Sequence, residues 1–151
     1  MIENLKYLVS DIKVMKGFFR SRIFKNGGND TLAVCLPNDT IKDYAEKCVE
    51  HFNNMPDVMI NVICKAIIKN SAKDYSLENS RDILKYCEFT QIRLYIPEND
   101  EVAYTADGIN NHGEDISFIV RGNKVLYVGY SCNYPPFESD DYYKNLDSNC
   151  I

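Results

Sequence analysis

The chain has 151 residues, of which 45% are hydrophobic, and its 17 basic and 22 acidic side chains give a formal net charge of −5 at pH 7. This length and composition are typical of one domain with its own hydrophobic core, and they exclude a disordered or collagen-like chain. Because nucleic acid and anionic membranes repel an acidic protein on average, neither is expected as a partner.

The sequence also bears on the compartment. Residues 1–5 lack the basic and apolar regions of a secretory signal, and the most apolar stretch, residues 58–68, is too short to span a bilayer. The cysteines are widely and irregularly spaced, with no Cys-x-x-Cys pair, which favours free thiols in a reducing compartment. They are Cys35, Cys48, Cys64, Cys87, Cys132 and Cys150. We therefore expect a cytoplasmic protein.

The first third of the chain is predicted to be extended. Residues 17–24 are aromatic and apolar, residues 26–30 are rich in glycine and asparagine, and residues 31–36 are again mostly apolar. Glycine and asparagine tolerate the positive φ that a chain reversal needs. These features predict a β-hairpin with strands over residues 17–24 and 31–36.

The middle of the chain is predicted to be helical. Apolar residues recur at intervals of three and four over residues 41–52, which indicates an amphipathic helix. Pro56 suits the first turn of a second helix over residues 57–70, which is so apolar that it must be covered on more than one side. A third helix is predicted to start after Ser76. Its core-facing residues are Leu77, Ile83, Leu84 and Cys87.

The last third is predicted to return to strands. Apolar and polar residues alternate over residues 91–96, and a shorter strand is predicted over residues 102–106. Residues 115–130 are predicted to form a hairpin, because Gly122 and Asn123 suit a two-residue turn with glycine first.

Strands, then helices, then strands predict an α+β fold in which about three helices pack on one face of a mainly antiparallel sheet. Residues 1–130 are expected to form the single domain. Residues 131–151 include two prolines and a pair of aspartates, and they are predicted to form an irregular C-terminal segment, with flexibility as one expectation.

The most polar loop surrounds His112, between two predicted strands. Its oxygen-bearing side chains are Asp107, Asn110, Asn111, Glu114 and Asp115. Calcium requires several such oxygens, although the order does not match the EF-hand pattern. The alternative is a polar turn whose side chains bond their own backbone.

Two further features of the C-terminal third bear on function. Cys132 could act as a nucleophile with His112 as base and Asp107 or Asn133 orienting the ring, although no local signature surrounds it. Late tyrosines, among them Tyr130 and Tyr134, combine apolar area with a polar tip, so they suit either a partner-binding surface or the edge of the core.

Residues 43–53, the isoleucine-rich second helix, His112-Gly113 and the Lys-Val-Leu-Tyr-Val-Gly run at residues 124–129 together resemble a family of small intracellular bacterial domains of unknown function. Some members lie near polymorphic toxin and immunity genes. The resemblance covers roughly residues 35–130. Members usually have a tryptophan and acids before His-Gly, where this chain has Ile109, Asn110 and Asn111. The resemblance implies no established activity and assigns no catalytic residue.

The leading hypothesis is a non-enzymatic, cytosolic binding protein of the immunity type that needs no cofactor. Its acidic surface would steer a basic protein partner and raise the association rate. Two alternatives are a small hydrolase or metal-binding protein centred on the His112 loop, and an architectural subunit that forms an oligomer. The expected binding residues are Asp107, Asn110, His112, Glu114, Asp115, Tyr130 and Tyr134.

Overall fold

The structure is a computed structural model that describes residues 8–9, 14–19, 32–37, 42–71, 79–95, 97–110, 113–131 and 133–151. Its strands are β1 (Leu8–Val9), β2 (Val14–Phe19), β3 (Leu32–Pro37), β4 (Glu88–Leu94), β5 (Ala103–Ile109), β6 (Asp115–Arg121) and β7 (Lys124–Tyr130). Its helices are α1 (Lys42–Asn53), α2 (Asp57–Ser71), a 3-10 helix (Ser80–Tyr86) and α3 (Asp140–Lys144).

The seven strands form one sheet in the order β1 to β7. Neighbouring strands are antiparallel except β3 and β4, which are parallel with Val34 opposite Ile92. A parallel pair needs a long crossover connection, and here that connection contains α1, α2 and the 3-10 helix. The prediction of an α+β fold with a mainly antiparallel sheet is confirmed.

Strands β2 and β3 pair antiparallel from Val14 opposite Pro37 to Phe19 opposite Leu32. β3 begins and ends one residue later than predicted, whereas β2 begins three residues earlier than predicted. The predicted turn over residues 26–30 lies outside the described residues.

Helices α1 and α2 lie close to their predicted positions. The apolar stripe of α1 is buried, and Phe52 from this stripe stacks on Phe118 of β6 with ring centroids 6.3 Å apart. α2 contacts both the 3-10 helix and β7, which explains why its apolar surface is so wide. The predicted requirement for cover on more than one side is therefore met.

The third helix differs from its prediction. Residues 72–78, which include Ser76, lie outside the described residues, and the helix that follows is a 3-10 helix capped by Asn79. The Asn79 side-chain oxygen accepts a hydrogen bond from the Arg81 amide at 3.0 Å. Cys87 is already extended and leads into β4, so the helix stops after seven residues. Ile83 and Leu84 are buried as expected.

The last four strands form a continuous antiparallel meander. β5 continues to Ile109, so Asp107 lies in a strand and not in the loop where the sequence placed it. The predicted hairpin over residues 115–130 is confirmed, with Arg121 opposite Lys124 across the two-residue turn. Gly122 has a φ of 55°, a conformation that glycine adopts with little steric cost.

The two faces of the sheet carry separate apolar clusters. Ile116, Phe118 and Val120 of β6 face α1 and α2 in the larger cluster, whereas Ile119 faces the other way. There Ile119 packs in the smaller cluster, whose other buried members are Leu126, Tyr127 and Tyr143. We call the side with Ile119 the second face.

The C-terminal segment covers part of this second face. It contains α3 over Asp140–Lys144, and Tyr143 of that helix is 1% exposed. The segment predicted to be irregular thus includes one short helix, and this helix packs on the face opposite α1 and α2. The helix forms because Ser139 caps it and because Tyr143 contributes buried apolar area.

Candidate functional site

The second face carries a polar cluster built on Asp107. The strand register places Asp107 opposite Gln91 of β4 and Ser117 of β6. Arg93 donates to both carboxylate oxygens, from Nε at 2.6 Å and from Nη2 at 2.9 Å. Gln91 Nε2 donates at 2.8 Å and Ser117 Oγ at 2.6 Å. We call these four residues the Asp107 cluster.

The Asp107 cluster is fixed in position and its central ion pair is electrically neutral. The side chains of Arg93 and Asp107 are 21% and 13% exposed, so solvent screens their attraction only partly. Four hydrogen-bond donors occupy the two carboxylate oxygens, so their lone pairs are engaged within the cluster. The cluster therefore fixes the relative positions of side chains from three neighbouring strands.

Two hydrogen bonds connect the Asp107 cluster to the chain after β7. Ser117 Oγ lies 3.4 Å from Ser131 Oγ, and Arg93 Nη1 donates to Asn133 Oδ1 at 3.3 Å. Both Ser131 and Asn133 line an open pocket of about 490 Å³. We call this the tyrosine pocket; it is lined by Tyr127, Tyr130, Ser131, Asn133, Tyr134 and Ser148.

Hydrogen bonds and ring packing hold the side chains that line the tyrosine pocket. The Tyr127 hydroxyl donates to the Tyr130 carbonyl oxygen at 2.7 Å and lies 3.0 Å from Ser148 Oγ. The Tyr134 ring packs edge-on against Tyr127 and Tyr142, with centroid distances of 6.0 and 5.9 Å. Tyr130 is 53% exposed at the rim. The pocket therefore combines a fixed frame with one accessible aromatic side chain.

The structure brings together only some of the binding residues that the sequence predicted. Tyr130 and Tyr134 share the tyrosine pocket, and Asp107 is linked to it through Ser117 and Ser131. Whether any of these residues binds a partner stays a prediction.

The remaining predicted residues belong to the β5–β6 connection. The Asn110 side-chain oxygen accepts from the Glu114 amide at 3.1 Å, and the Asn110 amide donates to the Glu114 carbonyl at 3.0 Å. These bonds match the polar turn that was the alternative to a metal loop. Asp115 is exposed at the start of β6.

His112 and Cys132 lie outside the described residues, so a site centred on either of them stays a prediction. Within the described parts of the chain, no three His, Cys, Asp or Glu side chains are grouped so that they could hold a metal ion. Cys48, Cys64, Cys87 and Cys150 are free. Burial raises the pKa of Cys48, Cys64 and Cys87 to about 11, which keeps these thiols protonated and weakly nucleophilic at neutral pH.

A second group of titratable residues lies on the helical side of the sheet. His51 Nδ1 is 2.8 Å from the hydroxyl of Tyr104, which is fully buried. Burial lowers the pKa of His51, although hydrogen bonding to Gly122 and Asn123 opposes the shift. Burial also raises the pKa of Tyr104, as does the nearby Cys48. This neutral, enclosed pair has the character of a structural contact.

Sequence reasoning missed the Asp107 cluster. Arg93 and Gln91 were recognised only as the polar positions of an alternating strand, and Ser117 was not singled out at all. The available signal was the presence of three polar residues on the same side of β4 and β6, but pairing them with Asp107 requires the strand register.

None of the helices in the described part of the chain is long and apolar enough to cross a bilayer. No protein-family model matches the chain, and comparisons with curated proteins and with solved structures gave no significant match. The fold and the site thus define an α+β domain with a polar and aromatic surface on the second face of its sheet.

Proposed function

We propose that the chain is a non-enzymatic binding protein whose contact surface is the tyrosine pocket together with the Asp107 cluster. The observation that carries this proposal is Tyr130, which is 53% exposed at the rim of a pocket with a fixed frame. Tyrosine is enriched in protein interfaces because it offers a large apolar area and a hydroxyl on a side chain with few rotatable bonds.

The order of the surface supports this proposal. Tyr127, Tyr134 and Tyr142 pack edge-on in a row, and the Arg93–Asp107 ion pair fixes the adjoining strand surface. A partner that binds such a surface immobilises few additional side chains, so less conformational entropy is lost on association. The neutral pair also avoids leaving an unpaired charge in the interface.

The charge of the C-terminal segment, which contributes Ser131, Asn133, Tyr134 and Ser148 to the pocket lining, favours a basic protein partner. Residues 131–151 contain four acidic side chains and one basic side chain, in a chain whose net charge is −5. Glu138, Asp141 and Asp147 of this segment are exposed. Negative potential at a binding surface attracts cationic partners and accelerates their association.

The biological role that we propose is that of an immunity-type protein in the cytoplasm. The resemblance to bacterial domains near toxin and immunity genes supports it, and so do the free, protonated thiols of Cys48, Cys64 and Cys87. In that role the chain neutralises a basic toxin by covering part of its surface.

The proposal is tested by capture from a lysate of the source organism with three baits: the wild type, Tyr130→Ala and Tyr86→Ala. Tyr86 is the matched control because it is 50% exposed, lies on the 3-10 helix and is not among the residues that line the tyrosine pocket. We expect the wild type and Tyr86→Ala to retain a basic protein, and Tyr130→Ala to bind it roughly 30-fold more weakly.

Salt provides a second measurement in the same capture. Retention of the basic protein should weaken at high ionic strength, because screening reduces attraction between exposed charges. Recovery of nucleic acid alone, or equal retention of a protein by Tyr130→Ala and the wild type, would contradict the proposed contact surface.

A further inference from the structure

A second cavity, of about 450 Å³, lies between α2 and the β6–β7 hairpin, near α3. Val58 and Val62 are one helical turn apart on α2, and with Met59 they form one wall. Val125 and Leu126 of β7 form the opposite wall. We call this cavity the α2–β7 groove. Its lining residues are distinct from those of the tyrosine pocket.

The walls of the α2–β7 groove are apolar and partly open to solvent. Val58 is 74% exposed, and Val62 and Val125 are partly exposed, whereas Met59 and Leu126 are buried. Adjoining apolar side chains left in contact with water favour the binding of an apolar group. The volume falls within the usual range for small-molecule sites.

The rim of the α2–β7 groove is cationic although the chain as a whole is acidic. Lys124 Nζ lies 3.0 Å from Asp140 Oδ2, and Arg121 Nη2 lies 2.7 Å from Asp140 Oδ1, so both oxygens of this carboxylate are paired. Lys144 at the end of α3 also lines the groove. The hydrogen bond from Lys124, together with Arg121 and Lys144, lowers the pKa of Asp140. Of the charged side chains that line the groove, Lys124 and Lys144 are cationic and Asp140 is anionic, so the lining carries a net positive charge.

We propose that the α2–β7 groove binds a single-chain amphiphile with an anionic head group, of the medium-chain carboxylate class. The alkyl chain lies between Val58 and Val62 on one side and Val125 on the other. The carboxylate of the ligand lies toward Lys144. The positive charge of Lys144 is not neutralised by Asp140, because both oxygens of Asp140 are already paired with Arg121 and Lys124. This inference rests on no part of the proposed protein-binding function, because the two cavities share no lining residue.

The test is a calorimetric and methyl NMR titration of the full chain with octanoate, below the concentration at which octanoate forms micelles. Two comparison ligands separate the contributions: 1-octanol has the alkyl chain without the charge, and acetate has the charge without the chain. We expect saturable binding of octanoate with shifts at the Val62 and Val125 methyl groups. Binding of 1-octanol should be about threefold weaker, and acetate should not bind.

Two variants, each with a matched control, test how the charge of Lys144 and the apolar side chain of Val58 contribute to octanoate binding. Lys144→Gln should bind octanoate about threefold more weakly and 1-octanol unchanged, while Lys65→Gln on the exposed side of α2 should change neither. Val58→Glu should weaken octanoate binding, and Asn61→Glu adds the same charge at an exposed position outside the groove. Val58 is so exposed that its replacement leaves the core intact.

Three results would each overturn the inference: no saturable binding of octanoate, equal affinity for octanoate and 1-octanol, or equal loss of binding in Val58→Glu and Asn61→Glu. Any of these results leaves capture by the tyrosine pocket unaffected. Failure of that capture, with octanoate binding intact, would remove the proposed function alone.

Discussion

The Asp107 carboxylate joins strands β4, β5 and β6 on the second face, because its donors come from Gln91, Arg93 and Ser117. Replacing Arg93 with Gln removes the charged partner and two of the four hydrogen bonds. A partly buried carboxylate without its ion-pair partner destabilises the folded state. We therefore expect the free energy of unfolding to fall by about 2 kcal/mol. Urea denaturation measures this loss.

The matched control is Arg81→Gln. Arg81 also bonds an aspartate, Asp57, at 3.0 Å, but the two side chains are 43% and 82% exposed. Exposed ion pairs contribute little, so we expect a loss of less than about 0.5 kcal/mol. Equal losses in Arg81→Gln and Arg93→Gln would contradict the structural role of the Asp107 cluster.

His51 gives the protein a predicted pH dependence. Burial against Tyr104 lowers the pKa of His51 below its ordinary value of 6.5, while Gly122 and Asn123 oppose this shift. Below pH 6.5 the unfolded chain takes up a proton at this position that the folded chain resists. Stability contributed by neutral His51 is therefore fully present above pH 6.5 and is lost as the pH falls below it.

This dependence is measured by urea denaturation of the wild type and of His51→Gln between pH 7.5 and 5.5. Glutamine retains a polar group for the Tyr104 hydroxyl but does not titrate. We expect the wild type to lose stability more steeply than His51→Gln as the pH falls. Parallel curves would show that His51 titrates alike in the folded and unfolded chains.

Among the elements, β7 is the last strand of the sheet order, and the C-terminal segment lies along its edge. The Cys150 amide donates to the Val128 carbonyl at 2.8 Å, and the Val128 amide donates to Asn149 Oδ1 at 3.3 Å. These bonds satisfy edge groups that would otherwise be open to another chain. Gly129 permits the approach, because a Cβ atom there would collide with the Ser148 carbonyl oxygen.

Gly129→Ala is therefore expected to push the C-terminal segment away from β7. Since the colliding atom belongs to the backbone, we expect a cost of about 1–3 kcal/mol and faster limited proteolysis within residues 131–151. Gly113→Ala is the control: its φ of 74° makes alanine strained, but a Cβ there meets no atom within 4 Å. Faster cleavage of that segment in Gly113→Ala as well would contradict the proposed collision.

The elements differ in how far the sequence predicted them. Helices α1 and α2 and the hairpin over residues 115–130 have strong periodicity and clear turn residues, so local signals were sufficient. The 3-10 helix was predicted as an ordinary helix, because its apolar residues do not reveal how early the strand after Cys87 begins. β5 extends through Asp107 because pairing with β4 and β6 outweighs the weak strand propensity of Asp and Gly.

The candidate site was predicted less completely for a related reason. Tyr130 and Tyr134 lie close together in sequence, so their shared surface could be expected. The pairing of Arg93 with Asp107 depends on the register of β4 against β5, and the α2–β7 groove depends on where α2 packs. Both are tertiary facts that no local pattern contains.

For the molecule as a whole, one sheet separates two apolar clusters of unequal size. The larger one lies under α1 and α2, where Phe118 contacts both Phe52 and Phe89 with ring centroids 6.3 and 5.3 Å apart. The smaller one exists because the C-terminal segment supplies Tyr143 to Ile119. The prediction that residues 1–130 form the domain alone can therefore be tested directly.

Removing residues 131–151 takes away the Tyr143 side chain and leaves Ile119, Leu126 and Tyr127 in contact with water. Losing one fully buried large side chain costs about 3 kcal/mol or more, and exposed apolar surface binds hydrophobic dyes. We expect the truncated chain to unfold at lower urea concentration and to bind such a dye, and Tyr143→Ala to reproduce much of both effects.

Tyr142→Ser tests whether the loss of stability comes from removing a buried tyrosine or from removing any tyrosine of this segment. Tyr142 is adjacent to Tyr143 but is 37% exposed. Its effect on the urea midpoint should be small beside that of Tyr143→Ala, since less apolar area is returned to water. A truncated chain with the wild-type midpoint and no dye binding would mean that residues 1–130 are a complete domain. The C-terminal residues of the tyrosine pocket would then contribute nothing to the stability of the domain. Tyr130→Ala should still weaken partner capture in the full chain.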